Sequence, residues 1–140
     1  MVNNPDPRRL LAPARYPCHP GDRQKIEGPV YDLDIVKALV KLHPFVPVNE
    51  VDRGMRRFAP PLQEADIPLV IAALKPDMYV ESEYCDKTTR GLKVEADAYR
   101  IRWSSGRKAI WEYADYAFIK FGFKANIPKC LIISIHPSDW

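Results

Sequence analysis

The chain has 140 residues, of which 46% are hydrophobic and 28% charged, the proportions of one ordinary globular domain. They exclude a chain disordered throughout and leave no room for two full domains. Lysine and arginine exceed aspartate and glutamate by a formal +3, which permits a polyanionic partner without requiring one. The longest apolar run near the N-terminus is Leu10-Leu11-Ala12, and nothing approaches the roughly eighteen apolar residues of a membrane span, so a cytoplasmic protein with no membrane partner is expected. Cys18, Cys85 and Cys130 are odd in number and far apart, which suits reduced thiols. Cys18 and His19 lack a Cys-x-x-Cys knuckle beside them, so neither a metal nor another cofactor is expected.

Six of the 14 prolines fall in the first thirty residues, and residues 1–28 show neither helical nor strand periodicity. They are predicted to form an arm, with one domain over 29–140. Asp32 can cap a first helix in which Ile35, Val36, Leu39 and Val40 form one stripe, ending near His43 before Pro44. A short second helix is expected between Asn49 and Phe58, weakened by Gly54, and a third after Asp66, with Pro68 in its first turn and Ile67, Val70, Ile71 and Leu74 in line. After Pro76 the period becomes two. Strands are predicted over Met78–Cys85 and Val94–Trp103, then a hairpin at Ser104-Ser105-Gly106, a strand-rich Ala109–Lys124 and a last strand over Lys129–His136. The resulting class is α+β: three N-terminal helices packed on one face of an antiparallel sheet of about four strands.

Alternation also assigns faces. Ala117, Ile119, Phe121 and Phe123 should meet the helices, whereas Tyr116, Phe118 and Lys120 should face away, joined there by Ser134 and His136 of the last strand. Between Lys87 and Lys108 seven cations (Lys87, Arg90, Lys93, Arg100, Arg102, Arg107 and Lys108) meet two anions, Glu95 and Asp97. Arg100 and Arg102 share a face with Val94, Ala96 and Ala98, and Tyr99 and Trp103 take the opposite one. Cations interleaved with rings such as Trp103 and Tyr116 are the surface that single-stranded RNA needs, because bases stack while phosphates pair with Arg and Lys. A solvated basic hairpin is the plainer reading. Glu81 and Glu83 share a face as well, and like charges two residues apart normally face solvent. No Gly-rich phosphate loop, nucleophile elbow or paired-His zinc helix occurs.

Several words in this order resemble the MqsR family of toxins, mRNA interferases of the RelE-like superfamily. Tyr31-Asp-Leu-Asp-Ile-Val-Lys-Ala-Leu-Val40 looks like the family's first helix, and Pro76-Asp77-Met78-Tyr79 like its Asp-Phe-Tyr at the start of the sheet. Asp97-Ala98-Tyr99-Arg100 is similar to an Asp-Val-Tyr-Arg word, Phe118-Ile119-Lys120 to Tyr-Leu-Lys, and Cys130-Leu-Ile-Ile-Ser134 to Val-Leu-Ile-Val-Ser. The likeness spans about residues 30 to 136. It departs at Val80, Ala96 and Phe118, where the family has Lys, Gln and Tyr.

The resemblance implies a RelE-like fold and a type II toxin that cleaves mRNA without metal. A 2′-OH attacks the adjacent phosphate, and a cognate protein antitoxin restrains the enzyme. Lys120, His136, Arg100 and Tyr99 are the candidate catalytic set: histidine is the one side-chain type that changes charge near neutral pH, and the cations would hold the phosphate. Lys87, Arg90, Lys93, Arg102, Trp103, Arg107, Lys108 and Tyr116 are candidates for RNA binding. The expected partners are mRNA, the antitoxin and, as an alternative, a second copy of the chain in a homodimer. The competing readings are a catalytically inert relative that binds RNA or protein, and an unrelated domain sharing only the order of elements.

Overall fold

A computed structural model describes residues 23–43, 45–47, 51–86, 93–123 and 128–138, with backbone only for 23–25, 84–86 and 93. Three helices, α1 (Leu33–Leu42), α2 (Val51–Arg56) and α3 (Ile67–Ala73), precede most of the strands. The strands are β1 (Arg23–Ile26), β2 (Val46–Pro47), β3 (Tyr79–Asp86), β4 (Lys93–Ser104), β5 (Ala109–Ile110), β6 (Tyr116–Gly122) and β7 (Leu131–Pro137). They join in the order β1-β3-β4-β6-β7-β2, with β5 added beside β4. All pairings are antiparallel except that of β2 with β7. The chain is therefore α+β with an antiparallel-rich sheet, as its change of period after Pro76 indicates.

Three short strands exceed the four expected from alternation; β5 falls inside the stretch read as strand-rich, and the other two do not. Arg23–Ile26 lies within the segment predicted as an arm, yet it pairs with β3. It falls between Pro20 and Pro29 and contains no proline, so each residue retains the N–H that an edge strand uses. The rest of the arm lies outside the described residues. β2 has two residues and carries no alternation to detect; it pairs with Leu131 and Ile132 of β7.

The helices start and stop where their residues dictate. Asp32 Oδ1 accepts from the Asp34 N–H at 2.9 Å and from Ile35 at 3.4 Å, capping α1. Leu33, Val36, Leu39 and Val40 are its buried stripe. Asp66 does not cap α3 with its side chain: Oδ2 accepts from the Gln63 N–H at 3.0 Å and Oδ1 takes Lys108 Nζ at 2.6 Å. Burial would push this carboxyl up, but Lys108 and the Gln63 N–H together hold it below the ordinary value. Gly54 is required by packing, because a Cβ there would strike the Ile135 carbonyl of β7. The glycine that weakens α2 as a helix is what lets it lie against the sheet.

One core cluster unites Val36 and Leu39 of α1, Met55 of α2, and Ile67, Val70 and Ile71 of α3 with Tyr99, Ile101, Ile119, Phe121, Ile132 and Ile135 of the sheet. The predicted inward face of β6 is thus the buried one. Within this layer lies a carboxylate with no exposure, Asp97. It accepts from the Val30 and Tyr31 N–H groups at 2.9 Å each and from Ser82 Oγ at 2.6 Å. Tyr79 Oη lies 2.6 Å from Ser82 Oγ; with the Ser82 proton committed to Asp97, Tyr79 is the donor. Tyr31 Oη donates to the Glu95 carbonyl at 2.6 Å and accepts from the Phe123 N–H at 3.1 Å. Burial raises the Asp97 carboxyl above its ordinary value despite these three donors.

Asp97→Ala strands two backbone N–H groups and a hydroxyl, and is expected to cost about 3 kcal/mol in chemical denaturation. The pH dependence has a definite sign. A raised folded value means that the native protein binds the proton more tightly than the unfolded chain does. Asp97 therefore makes its largest contribution below its ordinary value of 3.8, and that contribution falls as pH rises through the raised folded value. Relative to Asp97→Asn, the wild type should lose stability across that interval, as read from denaturation midpoints at successive pH.

Candidate nucleic-acid interface

β4 alternates strictly around Asp97, so Arg100 and Arg102 leave on the face opposite the helices. Pairing then builds rows across the sheet: Arg100 stands opposite Phe118, and Phe118 opposite His136. Arg102 stands opposite Tyr116, while Ala98, Lys120 and Ser134 form the adjacent row. Arg100, Lys120 and His136, far apart in sequence, thus reach one face. With strands about 4.8 Å apart, Arg100 and His136 lie about two spacings from each other, with Phe118 between them.

The contacts within this face are specific. The Arg100 and Arg102 guanidinium carbons lie 4.3 and 4.1 Å from the Tyr116 ring centroid. Arg102 also donates from Nη1 to the Ala114 carbonyl at 2.9 Å. The Phe118 and His136 rings stack with centroids 5.2 Å apart. His136 Nδ1 is 2.9 Å from the Pro137 carbonyl. A carbonyl can only accept, so the bond places a proton on Nδ1 and leaves Nε2 as the acceptor of the neutral ring. A cavity of about 390 Å³ adjoins the pair of arginines, walled also by Tyr116, Tyr79, Asp77 and Glu112.

Lys120 reaches the expected face but is not available to solvent. Its residue is 3% exposed, and Nζ donates at 2.8 Å to Oε2 of Glu83, itself 5% exposed. Two of the expectations from spacing change together: Glu83 is buried in an ion pair, and Lys120 is its partner. The reason is a second apolar cluster on this side of the sheet, Val94, Ala96, Leu131 and Ile133, which dries that end of the face. The cations at the other end remain more accessible: Arg102 is exposed and Arg100 half-buried.

The other candidates are dispersed. Tyr99 points to the helix side, 1% exposed and stacked on Phe121 at 5.7 Å, and burial pushes its phenol up to about 12. Trp103 shares that side. Lys108 is held by Asp66, and Arg107 covers the Trp111 ring at 4.3 Å. Lys87, Arg90 and the Lys93 side chain lie outside the described residues. Sequence reasoning passed over Trp111 and Tyr113, two exposed rings packed edge-on at 5.5 Å. Their signal was the aromatic alternation Trp111-Glu112-Tyr113, two residues after the basic Arg107-Lys108. Among the described residues no three His, Cys, Asp or Glu side chains gather as a metal-ligand set, and no helix is long and apolar enough to cross a membrane.

No family model matches the chain, and neither a curated protein nor a solved structure matches it. The reading of this face rests on its own geometry. Removing one member of the Lys120–Glu83 pair leaves the other charged and dry. Lys120→Met is expected to cost about 3–5 kcal/mol, and Lys120→Met with Glu83→Leu to recover most of that in the same denaturation measurement.

Proposed function

We propose that the face of Arg100, Arg102, Tyr116, Phe118 and His136 binds single-stranded RNA and cleaves it without metal. The chain would then be a toxin of the MqsR and RelE-like type, acting on mRNA and neutralised by a protein antitoxin. The observation that carries this reading is the convergence of two ring-packed guanidiniums with a histidine whose Nε2 is left as acceptor. Guanidiniums held by a ring and a carbonyl are preorganised for a phosphate, which is the main requirement of a crowded phosphorane.

In the proposed step His136 Nε2 takes the proton of the substrate 2′-OH as its oxygen attacks the adjacent phosphorus. Arg100 and Arg102 stabilise the charge on the equatorial oxygens. The P–O5′ bond breaks, and the 5′-oxygen leaves with the Tyr116 hydroxyl proton; Tyr116 recovers a proton from solvent and His136 returns its own to solvent. The products are a 2′,3′-cyclic phosphate and a 5′-hydroxyl. His136 and Tyr116 are diagonal neighbours across β6 and β7, a separation of about 7–8 Å that suits a base and an acid on opposite sides of one phosphorus.

A second reading, binding without cleavage, is favoured by two observations: the Lys120 charge is consumed by Glu83, and Phe118 has no hydroxyl. A labelled single-stranded RNA separates the two. Arg100→Gln with Arg102→Gln should flatten the slope of log affinity against log salt by about 1.4. His136→Asn should leave affinity in place and slow cleavage about 10²–10⁴-fold. RNA bound by the wild type but left intact after long incubation would select the second reading, and no salt-dependent binding at all would remove both.

A further inference from the structure

On the helix side of the sheet a cavity of about 400 Å³ lies between residues 29–34, which lead into α1, and Pro76. Tyr99 also lines it, although the residue is only 1% exposed. Its backbone is paired on both sides, with Tyr79 of β3 and Ile119 of β6, and its ring lies flat on Phe121. The part that reaches the cavity is therefore the outer end of the ring with its hydroxyl. That hydroxyl bonds to nothing among the described residues. Buried phenols usually have a partner, because an unmet polar group away from water costs free energy. Asp32 is its neighbour in the cavity wall: after burial, Asp97 and Tyr79, the Asp32 charge helps to push the phenol up to about 12, so the group is a neutral hydroxyl at physiological pH. Asp32 spends Oδ1 on the Asp34 and Ile35 N–H groups, which fixes the carboxylate and leaves Oδ2 open. The adjoining wall is fixed as well, because Asp97 holds the Val30 and Tyr31 N–H groups. One cavity thus combines a carboxylate oxygen and a buried hydroxyl that share its lining without bonding to each other.

We propose that this cavity binds the arginine side chain of a protein partner. Among the described residues its charged lining is Asp32 and Asp34 alone, so its field favours a cation and opposes a ligand that carries its own carboxylate or phosphate, free arginine included. The positive end of α1 works against a cation, and the two carboxylates of its cap and first turn outweigh it. A guanidinium is planar and donates from several N–H groups at once, so one edge serves Asp32 Oδ2 and another Tyr99 Oη. The bond to the carboxylate is charge-assisted. Pro29 and Pro76 offer rigid apolar surface to the methylene stem. Tyr99 leaves β4 on the side opposite Arg100 and Arg102, so this site does not depend on RNA binding, and neither reading falls with the other.

The test is an NMR titration with N-acetyl-arginine amide, read from the amide signals of Asp34 and Ile35, whose N–H groups bond to Asp32. Both signals are expected to shift saturably, and N-acetyl-citrulline amide, uncharged and of the same shape, should leave them in place. Free arginine should bind about fivefold more weakly than the blocked form. Asp32→Asn keeps a capping side chain and removes the charge, so it should weaken binding about tenfold with α1 intact. Tyr99→Phe should weaken binding about fivefold. Its hydroxyl has no bond to lose within the fold, so thermal stability should stay in place. No saturable shift with the blocked arginine, an equal response to the citrulline probe, or an affinity untouched by Asp32→Asn overturns the site. Equal binding of free arginine overturns the assignment to a protein's side chain. An unchanged affinity or a loss of stability in Tyr99→Phe shows that the hydroxyl does not serve the ligand and overturns the proposal in this form.

Discussion

The buried Asp97 carboxylate fixes what every other part of this sheet can do. Desolvating a carboxylate in the middle of a strand is unfavourable unless donors surround it, and here they come from residues 30 and 31 and from Ser82 of the neighbouring strand. The two N–H groups belong to the segment that enters α1, so the charge ties the start of the first helix to β4 across more than sixty residues of sequence. Tyr31 reinforces the tie by bridging Glu95 and Phe123 through its hydroxyl. Because side chains alternate, holding Asp97 on the helix side sends Arg100 and Arg102 to the other. A slip of one residue would bury two guanidiniums and expose the carboxylate along with Tyr99 and Ile101.

The face that receives those arginines has two unlike ends. Toward β3 and the start of β4 it closes over Val94, Ala96, Leu131 and Ile133, and the Lys120–Glu83 pair is enclosed with them. A buried pair of this kind adds little net stability relative to apolar residues, but it penalises any arrangement that separates its members. It therefore reads better as a register pin between β3 and β6 than as machinery for a substrate. Toward the end of β4 the same face carries Arg100, Arg102, Tyr116 and His136, with no comparable apolar cover among the described residues. Whatever this surface binds must meet it there.

The sequence showed α1 and α3 clearly, because Asp32 and Pro68 mark their starts and the apolar stripes repeat at three and four residues. It showed the inward faces of β4 and β6 for the same reason at period two. It did not show β1 or β2: neither four residues of Arg-Gln-Lys-Ile nor the pair Val46-Pro47 carries a pattern long enough to read. Glu83 and Lys120 were equally opaque, since two charges 37 positions apart give no local sign that they will meet in a dry place. Tyr99 could be placed on the helix side, but its unbonded hydroxyl depends on where the segment entering α1 lies, and that is decided by packing. The convergence of Arg100 and His136 was legible only as far as strand order could be guessed, and the register of β6 with both neighbours completes it.

The charges around the arginines also give the site a direction. Asp77 and Glu112 line the cavity beside Arg100 and Arg102, so that side repels a polyanion even as the guanidiniums attract it. On the other side, β6 and β7 present the Phe118–His136 stack, which carries no anionic group. A phosphodiester drawn to the arginines is thus favoured when it runs toward His136 rather than back over Asp77. Under the proposed RNA reading, that is the orientation in which Nε2 would meet a ribose hydroxyl. Binding alone would need only the net positive charge. An asymmetric border that sets the path of the strand is what a site needs if one histidine is to reach one particular oxygen.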